Sequence, residues 1–87
     1  MGRNPQKRPK RLAQKLATIR EREDITQAEM ATRLRKHGAE KATHSGYVAD
    51  FETERRIPSL LTLLAYARIA KVSTDYLIDD TLDLSRN

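Results

Sequence analysis

Apolar residues recur along this chain at helical spacing in five short segments, and no segment alternates apolar with polar as a half-buried strand would. Leu12, Leu16 and Ile19, with Ala13 beside them, predict a first helix over 10–23, broken at Asp24. Thr26-Gln27-Ala28-Glu29 has the form of a capping box: the Thr26 hydroxyl can accept from the Glu29 N–H while the Glu29 carboxylate accepts from the Thr26 N–H. Ile25 and Met30, on either side, have the spacing of a hydrophobic staple. The second helix follows, with Ala28, Ala31 and Leu34 on its inner face, Arg33, Arg35 and Lys36 at its negative pole, and Gly38 as its stop. Residues 37–44 have no apolar periodicity and read as a loop. A third helix is expected over 45–53, capped by Thr43 or Ser45, with Val48 and Phe51 inward and Tyr47 flanking them. Pro58 and the N-cap Ser59 open a fourth helix over 60–71. Its stripe of Leu60, Leu63, Leu64, Ala67 and Ala70 is expected at the centre of the core. Ser73 is expected to cap a short fifth helix holding Tyr76, Leu77 and Ile78, followed by Leu82 and Leu84 among polar residues. The fold class is therefore all-α: a compact five-helix domain over 10–80, a flexible basic arm at 1–9 and a tail at 81–87.

Length and composition narrow the function. Eighty-seven residues make one domain, and a domain of this size buries only about 60–65% of the surface of its unfolded chain, so dimerisation would help it. There is no cysteine, which excludes a disulfide framework and a thiolate zinc site. His37 and His44, with Glu40 nearby, lack a third convincing ligand, so no metal is expected. No apolar run approaches the roughly 20 residues of a membrane span. The N-terminus is basic but lacks the apolar stretch of a signal peptide, so a cytoplasmic protein of bacterial type is expected. No Ser, His and acid set suggests catalysis, and five small helices leave little volume for a substrate cleft. The chain reads as no enzyme, with no cofactor and no small-molecule substrate.

Charge points to a polyanion. The net charge is +5 and the pI about 9.9. Residues 1–22 hold eight Lys or Arg against a single Glu, whereas residues 72–87 hold Asp75, Asp79, Asp80 and Asp83 against Arg86. Basic charge gathered on one segment is the footprint of a nucleic-acid binder, or of a solubilising tail.

Five segments taken in order carry a resemblance. They are Leu16-Ala17-Thr18-Ile19-Arg20, Ile25-Thr26-Gln27-Ala28-Glu29-Met30-Ala31, Val48-Ala49-Asp50-Phe51-Glu52, Arg56-Ile57-Pro58-Ser59-Leu60 and Ala70-Lys71-Val72-Ser73-Thr74-Asp75-Tyr76-Leu77. Over residues 12–80 the chain resembles the lambda-repressor-like, Cro/C1-type (XRE) helix-turn-helix family. The resemblance implies a lambda-repressor-like fold and a regulator of transcription that binds double-stranded DNA, with its third helix in the major groove. It implies a phosphate contact for Gln27, at the exposed start of the second helix. It puts His44, Ser45, Gly46, Tyr47 and Asp50 at groove-facing positions, and Arg55 and Arg56 on phosphate. It also implies a structural ion pair between Arg20 and Glu52. Lys7, Arg8, Lys10 and Arg11 would add an arm along the backbone or minor groove.

Two features depart from the family's pattern. The groove-facing set is chemically thin: Ser45 is short, Gly46 has no side chain, and Asp50 accepts from cytosine but repels phosphate. Tyr47 either meets a thymine methyl or a sugar, or supports the core. The turn between the second and third helices is about seven residues longer than the few usual for the motif. This insert, around 37–43, is expected to loop into solvent or lengthen a helix, and its Lys41 joins the candidate DNA contacts. A homodimer is expected through the C-terminal helix and tail (Tyr76, Leu77, Ile78, Leu82, Leu84), with the basic end toward DNA and the acidic end away. Two other functions stay open: a protein-interaction module of antitoxin-like or adaptor type, and a non-specific DNA binder.

Overall fold

The Thr26–Glu29 capping box forms as its sequence predicts. In the computed structural model, which describes residues 9–84, the Glu29 N–H donates to the Thr26 hydroxyl at 3.1 Å and the Thr26 N–H to the Glu29 carboxylate at 2.8 Å. These bonds, the backbone one first, hold the Glu29 carboxyl below its ordinary pKa. The described residues form α1 (Leu12–Glu23), α2 (Gln27–Lys36), α3 (Ser45–Glu52), α4 (Leu60–Ala70) and α5 (Asp75–Ile78), and no strand. The predicted arm at 1–8 and the last residues of the tail lie outside the described residues.

α2 and α3 pack on each other and on α1 and α4 around one core. Leu16, Met30, Leu34, Val48, Tyr66 and Leu77 are its most enclosed members. Ile25 packs against it from beside the capping box, and Met30 is fully buried. Ala28, expected inside, is exposed, because it lies two positions, about 200° of helix rotation, before Met30. α2 ends with His37, and Gly38 makes the turn at φ 115°, a conformation that favours glycine.

α4 corrects the sequence reading most. Its buried face is Thr62, Leu63, Ala65, Tyr66, Ala67 and Ile69, with Tyr66 at 0% exposure, while Leu60 is 84% exposed, Leu61 54% and Leu64 37%. Leu63, Ala67 and Ala70 of the expected stripe face the core, but Leu60 and Leu64 turn out, because the bulkiest side chain of the helix, Tyr66, packs edge-on against Phe51, with ring centroids 6.4 Å apart. The polar Thr62 is tolerated inside because its hydroxyl donates to Glu40. Burial pushes the Tyr66 phenol up in pKa, and its hydroxyl has no hydrogen-bond partner among the described residues.

The insert is a loop, as expected, with His37, Gly38, Glu40, Lys41 and Ala42 exposed, but it is fastened to the domain. Ala39 and Thr43 are buried in the core. Arg35 donates to the Thr43 carbonyl, and Arg68 to that of His37 at 3.0 Å. The Glu40 carboxylate accepts from Ser59 at 3.0 Å and Thr62 at 3.1 Å, so the insert is fastened to the start of α4.

The chain ends also differ from expectation. The acidic C-terminal segment does not lie away from the basic start of the domain. The Asp80 carboxylate accepts from the N–H groups of Lys10 (2.9 Å) and Arg11 (3.0 Å), at the start of α1, and Arg11 also pairs with Asp83. Lys15, only 3% exposed, donates to the carbonyls of Tyr76 (2.8 Å), Asp79 (3.0 Å) and Leu82 (2.8 Å). Opposite charges at the two ends of the sequence are thus brought together. Of the residues expected at a dimer surface, Leu77 is buried at 0% exposure and Leu84 packs on the core, while Tyr76 and Ile78 are exposed. α5 starts one residue later than a Ser73 cap would give: its N-cap is Thr74, with no side-chain cap bond.

Candidate nucleic-acid interface

α3 is positioned from its buried side. Val48 and Phe51 enter the core, and Glu52 at its last turn is gripped by Arg20 of α1. Arg20 Nε donates to Glu52 Oε2 at 2.7 Å and NH2 to Oε1 at 3.0 Å, while NH1 donates to the Ile25 carbonyl at 2.9 Å. The Glu52 side chain is 7% exposed. These bonds to Glu52 hold the Arg20 guanidinium above its ordinary pKa. The ion pair expected between Arg20 and Glu52 is present, and it links α1, the start of α2 and α3.

Gln27 is the first residue of α2, half-buried, with its amide donating to Glu52 Oε1 at 3.2 Å. The same carboxylate therefore orients α3, Arg20 and Gln27. The start of α3 lies open: His44, Ser45 and Gly46 are exposed. The expected cap at Thr43 or Ser45 is replaced by His44, whose Nδ1 accepts from the Gly46 N–H at 3.0 Å. Thr43 is unavailable because it is buried. A Cβ on Gly46 would lie 2.8 Å from the His44 ring, so a side chain there would push the imidazole from its cap.

Tyr47 is partly buried, in line with the core support considered for it. It packs against the core and forms one wall of a shallow cleft of about 280 Å³ with Glu40, Ala42, Phe51, Arg56 and Ile57. The Arg56 guanidinium lies 4.0 Å from the Tyr47 ring centroid, and its Nε is 3.8 Å from Asp50 Oδ2. Asp50, Tyr47 and Arg56 thus form one cluster on the side of α3. Arg55 and Lys41 are exposed, on the connector after α3 and on the insert before it. The sequence listed these residues singly. It did not show the cluster, which depends on how the chain turns at the end of α3. No group of three or more metal-ligating side chains occurs among the described residues, nor any helix long and apolar enough to cross a membrane.

A helix-turn-helix family model, of the Cro/C1 type, matches residues 16–77. No curated protein and no solved structure gives a significant match. The matched span begins at Leu16 and ends at Leu77, both fully buried, and encloses the whole Arg20–Glu52–Gln27 network.

Proposed function

The chain belongs to the Cro/C1-type helix-turn-helix family, and from that premise we propose that it is a sequence-specific regulator of transcription that binds duplex DNA as a homodimer. The observation that carries the reading is the open start of α3, fixed from behind by Glu52 and flanked by cations. His44, Ser45 and Gly46 face solvent there, with Lys41 before them and Arg55 and Arg56 after. A helix held rigidly by its buried face, with its first turn exposed, suits insertion into a major groove. Gln27 and Arg55 are assigned to phosphate, and Lys41 to the flanking backbone. A regulator of this kind acts in the cytoplasm of a bacterial-type cell, where the DNA lies.

The dimer is assigned to a different surface from the C-terminal one. Ile57 (50% exposed), Leu60, Leu61 and Leu64 form an apolar patch that this core leaves uncovered. It follows Arg55 and Arg56 directly in the chain, beside the proposed DNA contacts.

Fluorescence anisotropy tests the proposal, using a duplex selected from a randomised pool and a scrambled control across a salt series. The selected duplex is expected to bind at least tenfold more tightly, with affinity falling steeply as salt rises. Gln27→Ala and Arg55→Ala are expected to weaken both duplexes alike. Equal affinity for the two duplexes would leave a non-specific binder, and no binding at about 100 mM salt would leave the adaptor function.

A further inference from the structure

The residues that α3 turns outward are short. Ser45 and Gly46, and the C-cap Thr53, are exposed, and none carries the long planar donor that selects guanine or the amide that selects adenine. Arg56 lies beyond the helix in sequence but is returned to it by the backbone. The Asp50 carbonyl accepts from the N–H groups of Arg55 at 2.9 Å and Arg56 at 3.3 Å. Glu54 makes the turn between them at φ 68°. The chain therefore folds back across the end of α3 and sets the Arg56 side chain over Tyr47.

Two contacts then hold the guanidinium. Its face lies 4.0 Å from the Tyr47 ring centroid, and its Nε side lies 3.8 Å from the Asp50 carboxylate. Tyr47 is held in turn between His44 and Phe51, at centroid distances of 4.3 and 6.4 Å. The Arg56 side chain is 47% exposed, which leaves its terminal nitrogens NH1 and NH2 within reach of a ligand. Those two nitrogens make the fork that meets O6 and N7 of guanine. For a cation meant only for phosphate, the order gained from a neighbouring carboxylate is offset by that carboxylate's repulsion of the backbone. A base reader does gain, because ordering the long side chain beforehand lowers the entropy lost on binding. Asp50, unfavourable on a DNA-facing helix by itself, has a role as the anchor of Arg56.

We infer that Arg56, held by Asp50 and Tyr47, is the specificity-determining residue of this protein and reads a guanine in the major groove in place of the side chains α3 lacks. The inference rests on the DNA-binding function proposed above, and it moves Arg56 from the phosphate contacts to the base contacts.

Selection from a randomised duplex pool with the wild type, Arg56→Lys and Asp50→Ala tests it. The wild type is expected to enrich a guanine. Arg56→Lys keeps the positive charge but not the fork, so it is expected to bind scrambled duplex within about threefold of wild type while losing about tenfold or more of the preference for that guanine. Asp50→Ala is expected to lose part of the same preference without weakening scrambled-duplex binding, since it removes a negative charge. An Arg56→Lys protein that keeps the guanine preference, or that weakens on all duplexes equally, overturns the inference and leaves Arg56 a phosphate contact. A wild-type pool with no enrichment overturns the sequence-specific function itself, which is a separate result.

Discussion

Helix α1 takes two cations inside, and the fold neutralises them in different ways. Arg20 meets a carboxylate, in two hydrogen bonds to Glu52. Lys15 meets three backbone carbonyls at and beyond the end of α5, where the helix dipole is negative. The first region ties together the helices that would meet DNA. The second ties the C-terminal segment across the start of α1. Each cation is satisfied, but what breaks when it is removed is different. Without Arg20, a nearly buried carboxylate is left without its main partner. Without Lys15, only neutral acceptors are left, and water can reach them as the segment loosens.

The largest effect is therefore expected at the first region. Arg20→Ala is expected to cost about 3–5 kcal/mol, the range for removing one partner of a buried ion pair, read as a lower midpoint in urea unfolding. A cost below about 1 kcal/mol would mean that Glu52 is solvated there like a surface group. Lys15→Met is expected to cost less, about 2 kcal/mol, since it retains the apolar stem and loses hydrogen bonds from a charged donor. Its signature is local: amide exchange is expected to quicken at residues 76–82 while α2 and α3 stay protected. If α2 and α3 lost protection equally, the two regions would be one cooperative unit.

Acid gives the smallest effect and sharpens the contrast. The Asp80 carboxyl is held below its ordinary pKa by the Lys10 and Arg11 N–H groups, Asp79 by Thr81, and Asp83 by Arg11. A carboxyl with a lowered folded pKa adds stability that is complete above its unfolded pKa of about 4 and is lost as pH falls through the folded value. The C-terminal clasp is therefore expected to loosen below about pH 4, seen as lower protection of the Arg11 and Thr81 amides relative to their intrinsic exchange rate at each pH. Glu29 and Glu40 are shifted in the same direction, so the α2 cap and the insert weaken over the same range. An Arg11 protection factor that did not change with acid would remove Asp80 as the cap of α1.

The same division shows in what could be read beforehand. Thr26 and Glu29 are three residues apart, and their bonds close within one turn, so the cap was legible. Arg20 and Glu52 were legible only through the resemblance, since 32 positions separate them. Lys15 gave no signal: a lysine between Gln14 and Leu16 reads as a surface residue, and its partners are carbonyls, which any residue supplies. At the candidate interface, Gln27, Ser45 and Asp50 were each nameable from the sequence. The stacking of Arg56 on Tyr47 was not, because it follows from a turn closed by the Asp50 carbonyl.

By itself, the sequence determined the number of helices, their approximate ends and most of the core residues outside α4, because these depend on contacts within a few positions of the chain. Only the tertiary structure decided which face of α4 goes inside, that the insert is anchored by Glu40, and that the acidic end closes on the basic one. Each of these depends on groups far apart in sequence. Periodicity offers α4 a leucine face and a tyrosine face. The choice falls to the one that fits against Phe51 and lets Thr62 reach Glu40, and it leaves Leu60, Leu61 and Leu64 exposed.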